Sequence, residues 1–306
     1  MNLGLEPYNV QSVDLYDCGT LKTGLGPCAR ASDGKVYPQY IAEDLCMEVD
    51  LEYDLLQLPK EKNHLVSFSM IGALQSGNTV TLTPIGDYGY GPSTNPTSEV
   101  GKYLSLYSKS NCYAVPETDI FMYTDVGFTE VFNVLKTLAN DQPVDINIYF
   151  QAYIDQALQN VIDLYNHGKA RKMFVQLIDA STIRQTPAYS VFDCALEHLG
   201  VTPIETVLNS YTSYQNMLRD NLNAFAQSVQ HFDLTVVDST TLYDNLSNDA
   251  DSFGIVNGES MIELGWPDKT FANQLWFDSF HFSSHSNRVI ANYVKTWFQN
   301  RVCADC

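Results

Sequence analysis

Apolar and polar positions fall into short runs and helical stripes that succeed one another along the chain. Val10 to Leu15 predicts a strand, followed by a turn rich in Gly and Cys. Tyr37 to Leu45 spaces its apolar residues as a helix does, while Leu65–Met70 and Ile120–Tyr123 are apolar runs of buried-strand length. Between Ile146 and Tyr165, the residues Ile154, Leu158, Val161 and Tyr165 share one helical stripe, and Gly168 follows as a C-terminal stop. Met173 to Ile178 then reads as a central strand. Tyr211, Tyr214, Leu218, Leu222, Phe225 and Val229 recur at intervals of three and four, which predicts a long amphipathic helix. Leu234 to Val237 is the next strand. A last helix starts after Ser283-Ser284, which can cap it, and buries Ile290, Tyr293 or Val294, and Trp297. Strand and helix patterns that alternate in this way predict an α/β fold, a parallel sheet with helices on both faces.

Two stretches break the rhythm. The first, 76–113, is rich in Gly, Pro, Ser, Thr and Tyr and includes Gly86-Asp87-Tyr88-Gly89-Tyr90-Gly91; the second, 181–207, is less regular. Both are expected to be long loop insertions, serving as lids or binding walls. No repeat or linker divides the chain, so 1–306 is read as one domain.

Composition narrows the function classes. The 306 residues are 45% hydrophobic, enough for one sizeable core. A formal charge of −19 repels a phosphate backbone, which excludes nucleic acid, and it disfavours anionic membrane surfaces. No apolar run approaches bilayer-spanning length. Met1-Asn2-Leu3-Gly4 lacks the basic and then apolar regions of a signal peptide, so the chain reads as a mature one. Of the seven cysteines, Cys303 and Cys306 have redox-motif spacing, but they stand at the chain terminus rather than after a strand. Low lysine content, acidic pI and abundant tyrosine resemble secreted fungal enzymes, so disulfides are expected, Cys18 with Cys28 first among them. Seven reduced thiols in a cytosolic protein is the alternative. Asn245-Leu246-Ser247 is the glycosylation sequon.

The chemistry sits near the C-terminus. In Leu275-Trp276-Phe277-Asp278-Ser279-Phe280-His281-Phe282-Ser283 an Asp-x-x-His pair stands just before the last helix. That spacing lets a carboxylate reach imidazole Nδ1, fix the tautomer and leave Nε2 to act as base. The segment resembles the last block of the SGNH (GDSL) hydrolases. Asn166–Val175 resembles that family's entry into its fourth strand, and Val237–Asn245 the segment after its fifth. Ser67–Ala73 is similar to the block with the oxyanion-hole glycine, which falls on Gly72. The resemblance covers nearly the whole chain. It implies a flavodoxin-like three-layer sandwich with a five-stranded parallel sheet, and an active site at the carboxyl ends of the strands.

Two of the family's catalytic residue types are replaced. Aligning Val13-Asp14-Leu15-Tyr16-Asp17-Cys18-Gly19 on the first block puts Asp14 at the serine position, with Ser12 two residues earlier. In the third block, Thr124-Asp125-Val126-Gly127-Phe128-Thr129-Glu130 puts Phe128 or Thr129 where the oxyanion-binding Asn belongs, beside Gly127. An Asp at the serine position would give a mixed anhydride and set negative charge where oxyanion charge develops. Ester hydrolysis by the family route is therefore expected to be disabled. An acid–base site of His281, Asp278 and Asp14 remains, with Gly72, Gly127, Phe128 and Thr129 around it and Tyr16, Tyr88 and Tyr90 as an aromatic substrate wall. The tyrosines could equally stabilise their loop, and Asp14 could be a structural ion pair.

The expected activity is dehydration, isomerisation or cyclisation of an apolar small molecule, a lyase or cyclase of secreted fungal natural-product biosynthesis that eliminates water and guides a cycloaddition. A GDSL-type esterase using Ser12 and a catalytically dead ligand-binding protein are the alternatives. No cofactor is expected. Metal binding by His281 and His285, four residues apart, is not expected, because His281 precedes the helix and no third ligand is evident. The other histidines have no carboxylate or cysteine at a telling spacing.

Overall fold

The computed structural model describes residues 9–25, 32, 34–45, 48–51, 64–67, 100–101, 103–105, 120–265 and 272–302. Its main sheet is parallel, and its strands lie side by side in chain order: β5 (Ile120–Val126), β6 (Lys172–Leu177) and β7 (Asp233–Asp238). Parallel neighbours need long crossovers, and helices supply them. Between β5 and β6 run α2 (Phe128–Ala139) and α3 (Ile146–His167); between β6 and β7 run α4 (Ala180–Gln185), α5 (Pro187–Leu199) and α6 (Ile204–Ser228). After β7 come α7 (Ser239–Asn248) and the terminal α8 (Ser284–Val302), while α1 (Tyr37–Asp44) lies near the start of the chain.

Alternation along β6 sends successive side chains to opposite faces, and helices cover both. On one face the Phe174 ring meets Trp297 of α8 at 5.0 Å, and Trp297 Nε1 donates to Thr235 Oγ1 at 3.0 Å. Gln176, on the same face, accepts from Tyr37 Oη of α1 and donates to Tyr243 Oη of α7. On the other face Tyr123 Oη accepts from Asn160 of α3, which packs along α6. The helix ends follow local chemistry. Asp145 caps α3 by accepting from the N–H groups of Asn147 and Ile148, and Ser283 Oγ caps α8 by accepting from Ser286 N.

Two expectations need correction. The segment 181–207 is helical rather than a loop insertion. Asp179 caps α4, Pro187 opens α5 at a position where a missing N–H costs nothing, and Gly200 closes it in a left-handed conformation. The first strand, β1 (Asn9–Asp14), does not join the parallel sheet but pairs antiparallel with β2 (Thr20–Leu25). Only a short turn, with a 3-10 segment at Tyr16–Cys18, separates the two, far too little chain for a parallel crossover. The main sheet has three strands among the described residues, against the five expected; β3 (Glu48–Leu51) and β4 (His64–Ser67) form a separate parallel pair. Most of 76–113, including Tyr88 and Tyr90, lies outside the described residues, as does Gly72. Among the described residues no helix is long and apolar enough to cross a membrane.

Candidate active site

The segment before α8 folds back on itself. Trp276 and Phe282 form an antiparallel bridge with their rings stacked at 4.4 Å, and Phe277 N donates to His281 O at 2.7 Å. This closes a tight loop around Asp278, whose side chain is fully buried. Asp278 Oδ1 accepts from the N–H groups of Phe280 and His281, each at 2.8 Å. These two bonds hold the turn and orient the carboxylate, so both oxygens lie 2.9 Å from His281 Nδ1. A buried carboxylate is costly unless hydrogen-bonded, and this one is well provided. With the Nδ1 proton on the carboxylate side, Nε2 carries the lone pair. The imidazole remains 29% exposed.

Neighbouring elements pin the loop. Ser279 N donates to Lys22 O at 3.0 Å and Ser279 Oγ accepts from Lys22 N at 2.9 Å, which docks β2 on the loop. Ala188 N of α5 donates to Ser279 O at 3.1 Å. The turn after β5 brings the third-block region to the same place. Phe128, the first residue of α2, stands 6.4 Å from the His281 ring, and Phe280 stands 6.3 Å from it. Phe132 links these two rings edge-on, at 5.0 Å and 4.9 Å. The imidazole therefore has a rigid aromatic backing at the carboxyl end of β5. Thr129 follows in the same helical turn, half-buried.

The hairpin residues have contacts of their own. Asp14 is exposed and accepts a hydrogen bond from Thr20 Oγ1, its cross-strand partner. Ser12, also exposed, stands opposite Lys22. Tyr16 has a φ of +53°, stacks on His198 at 4.8 Å and donates to Ala139 O. Ala139 ends α2, roughly 16 Å along the helix from Phe128 at 1.5 Å per residue. Cys18, expected to bridge Cys28, is bonded instead to Cys194 of α5, because the 3-10 turn lies against that helix with the two Cα atoms 5.5 Å apart. Cys28 is outside the described residues.

Two further features carry no signal in the sequence. Asp179, just past β6, accepts from Ser181 Oγ, Thr182 N, Ser239 Oγ, and both the N–H and the hydroxyl of Thr240. Burial alone would raise its pKa, but these hydrogen bonds outweigh it and hold the carboxyl below its ordinary range. The result is a tie between the carboxyl ends of β6 and β7. Beneath Gly127 lies a buried trio, Tyr153, Tyr211 and Gln215, and burial pushes both phenols well above their ordinary pKa. Among the described residues no group of three or more His, Cys, Asp or Glu could hold a metal ion.

No family model matches the chain, and no curated protein matches it.

Proposed function

We propose that this chain is a secreted enzyme on an SGNH-type scaffold, using the Asp278–His281 pair for proton transfer on an apolar small molecule rather than for ester hydrolysis. Dehydration, isomerisation or cyclisation is the reaction class, and β5, β6 and β7 would be three strands of a five-stranded flavodoxin-like sheet. One observation carries the reading. A fully buried carboxylate bonds Nδ1 of an imidazole that is itself partly exposed, which is how a histidine base is oriented for work. The aromatic backing supports an apolar ligand. The Cys18–Cys194 bond suits an oxidising compartment.

A second reading has one observation in its favour. Ser12 stands directly across from Lys22, whose backbone is bonded to Ser279, two residues from His281. An esterase could recruit Ser12 if the hairpin shifted.

Two probe substrates separate these readings. Elimination of 5-nitrobenzisoxazole needs only a base that removes its ring C–H proton as the N–O bond breaks, and it requires no nucleophile. Wild-type protein should accelerate it, and His281→Ala should lower the rate by about a hundredfold, the usual lower range for general base catalysis. Ser12→Ala should leave it unchanged. Hydrolysis of p-nitrophenyl acetate that vanishes in Ser12→Ala would establish the esterase instead. Equal elimination rates for wild type and His281→Ala would rule out a working base.

A further inference from the structure

We propose that Gln215 of α6 is a positioning residue for this site: through the turn at Gly127 it sets where the Phe128 ring stands against the His281 imidazole. The inference rests on reading His281 as the working base, but its geometry can be tested apart from activity.

Three features converge on the two residues before Phe128. The β5–β6 register shifts between Tyr123 and Val126, and such a bulge re-aims the chain that leaves a strand. Gly127 then adopts φ +99°, a left-handed conformation that turns the chain from strand into helix. Gln215 closes the arrangement from below. Its Nε2 lies 3.0 Å from Val126 O, 2.6 Å from Ile178 O and 2.5 Å from Tyr211 Oη, while its Oε1 accepts from Tyr153 Oη at 2.9 Å. Tyr211 Oη donates in turn to Ile178 O at 2.7 Å. The amide is thus held at both ends, inside a network whose three side chains are 0% (Tyr153 and Tyr211) and 2% (Gln215) exposed. It clasps the carbonyls at the carboxyl ends of β5 and β6 together.

The network also leaves no slack under the turn. A Cβ on Gly127 would stand 2.3 Å from Tyr211 Oη, 2.5 Å from Gln215 Nε2 and 2.8 Å from Tyr153 Oη. Phe128 follows immediately, so a small rotation at Val126 or Gly127 swings its ring relative to His281. Buried polar networks of this kind rigidify when every member is satisfied.

The test uses the full chain with carbon-13-labelled histidine, the His281 imidazole signals being assigned by their loss in His281→Ala. Gln215→Met keeps the side-chain volume and removes the polar contacts. It should shift the His281 signals, because the Phe128 ring current at the imidazole changes, and should lower kcat for 5-nitrobenzisoxazole by up to about a hundredfold with little change in KM. Tyr153→Phe, which removes only the donor to Gln215, should move the same signals in the same direction and less far. Leu222→Ala, a cavity two turns along α6, should leave them in place. Unmoved His281 signals in folded Gln215→Met overturn the proposal, as do equal shifts in Leu222→Ala. If Gln215→Met does not fold, Tyr153→Phe decides on the same terms. Absence of elimination in the wild type would remove the base reading alone, since the signals still report the position of Phe128.

Discussion

A methyl group at residue 127 meets two separate obstacles, the positive φ and the three side-chain atoms packed beneath it. The first costs about 1 kcal/mol or more for a non-glycine residue, and overpacking a tight site adds about 1–3 kcal/mol. Gly127→Ala should therefore lower unfolding free energy by about 3 kcal/mol, read as a reduced urea midpoint with an unchanged slope. Gly258→Ala, where an added Cβ meets nothing within 4 Å and no positive φ applies, should change it little. At this same scale the sequence is readable only where a contact is local. Asp278 and His281 are three residues apart, and one turn suffices to join them, so their pairing could be expected from spacing. Gln215 is 89 residues from Val126, and nothing in a buried Gln on a helical stripe says which carbonyls it will reach. The places of the Asp14 and Tyr16 side chains depend on a hairpin register that no alignment of residue types contains. Phe280, an unspecified position between Asp278 and His281, contributes its ring to the site simply because the turn brings it there.

Elements were legible to the extent that their periodicity was unbroken. The long stripe of α3 is recovered within a few residues, and that of α6 locates its C-terminal end but begins two turns inside the helix, since three or more turns of apolar spacing outweigh local ambiguity only where the stripe is unbroken. The helices α4 and α5 are short, and Pro187 reads as a breaker until it is seen as a first-turn residue. The hairpin of β1 and β2 was misplaced for a different reason. A six-residue strand has the same alternation in either kind of sheet, and only the length of its connection decides. Its attachment is also non-local, through the Cys18–Cys194 bond, which spans 176 residues, and through Lys22 to Ser279. Closing so long a loop restricts the unfolded chain considerably, and such a crosslink contributes roughly 2–5 kcal/mol. Peptide mapping without reduction should recover Cys18 joined to Cys194. The Cys18→Ser/Cys194→Ser protein should unfold at a lower temperature, with hydrogen exchange rising first at residues 9–25. Recovery of a Cys18–Cys28 peptide, or loss of protection spread evenly over the chain, would contradict this attachment.

The whole molecule is governed by an excess of acid that its ion pairs do not absorb. Asp and Glu number 36 against 17 Lys and Arg, a difference of 19, and the pI is near 4.4. Like charges at this density repel one another in the compact state, so at pH 7 the folded form should gain from screening. Acidification brings two opposed effects at different pH. Between pH 7 and about 5 the approach to the pI relaxes the repulsion. Below that range particular carboxylates fail. Asp44 is held below its ordinary pKa first by the hydrogen bond from Lys295 and then by Arg288, which join α1 to α8, and Asp179 is lowered by its ring of donors. A folded-state pKa below the unfolded value of about 3.9 means a contribution fully present above that value and lost as pH falls through the folded one. Stability should accordingly peak near pH 5 and drop steeply below about 4. Urea denaturation across pH 3–8 measures the curve, and repeating it in 0.5 M salt should raise the midpoint at pH 7–8 more than at pH 5. Asp44→Asn should lower the midpoint at pH 7 and flatten the acid limb, because the group whose protonation is penalised has gone. A midpoint that falls with salt at pH 7 would show that ion pairs such as Arg288–Asp44, rather than the unpaired acidic surface, dominate the electrostatics of the fold.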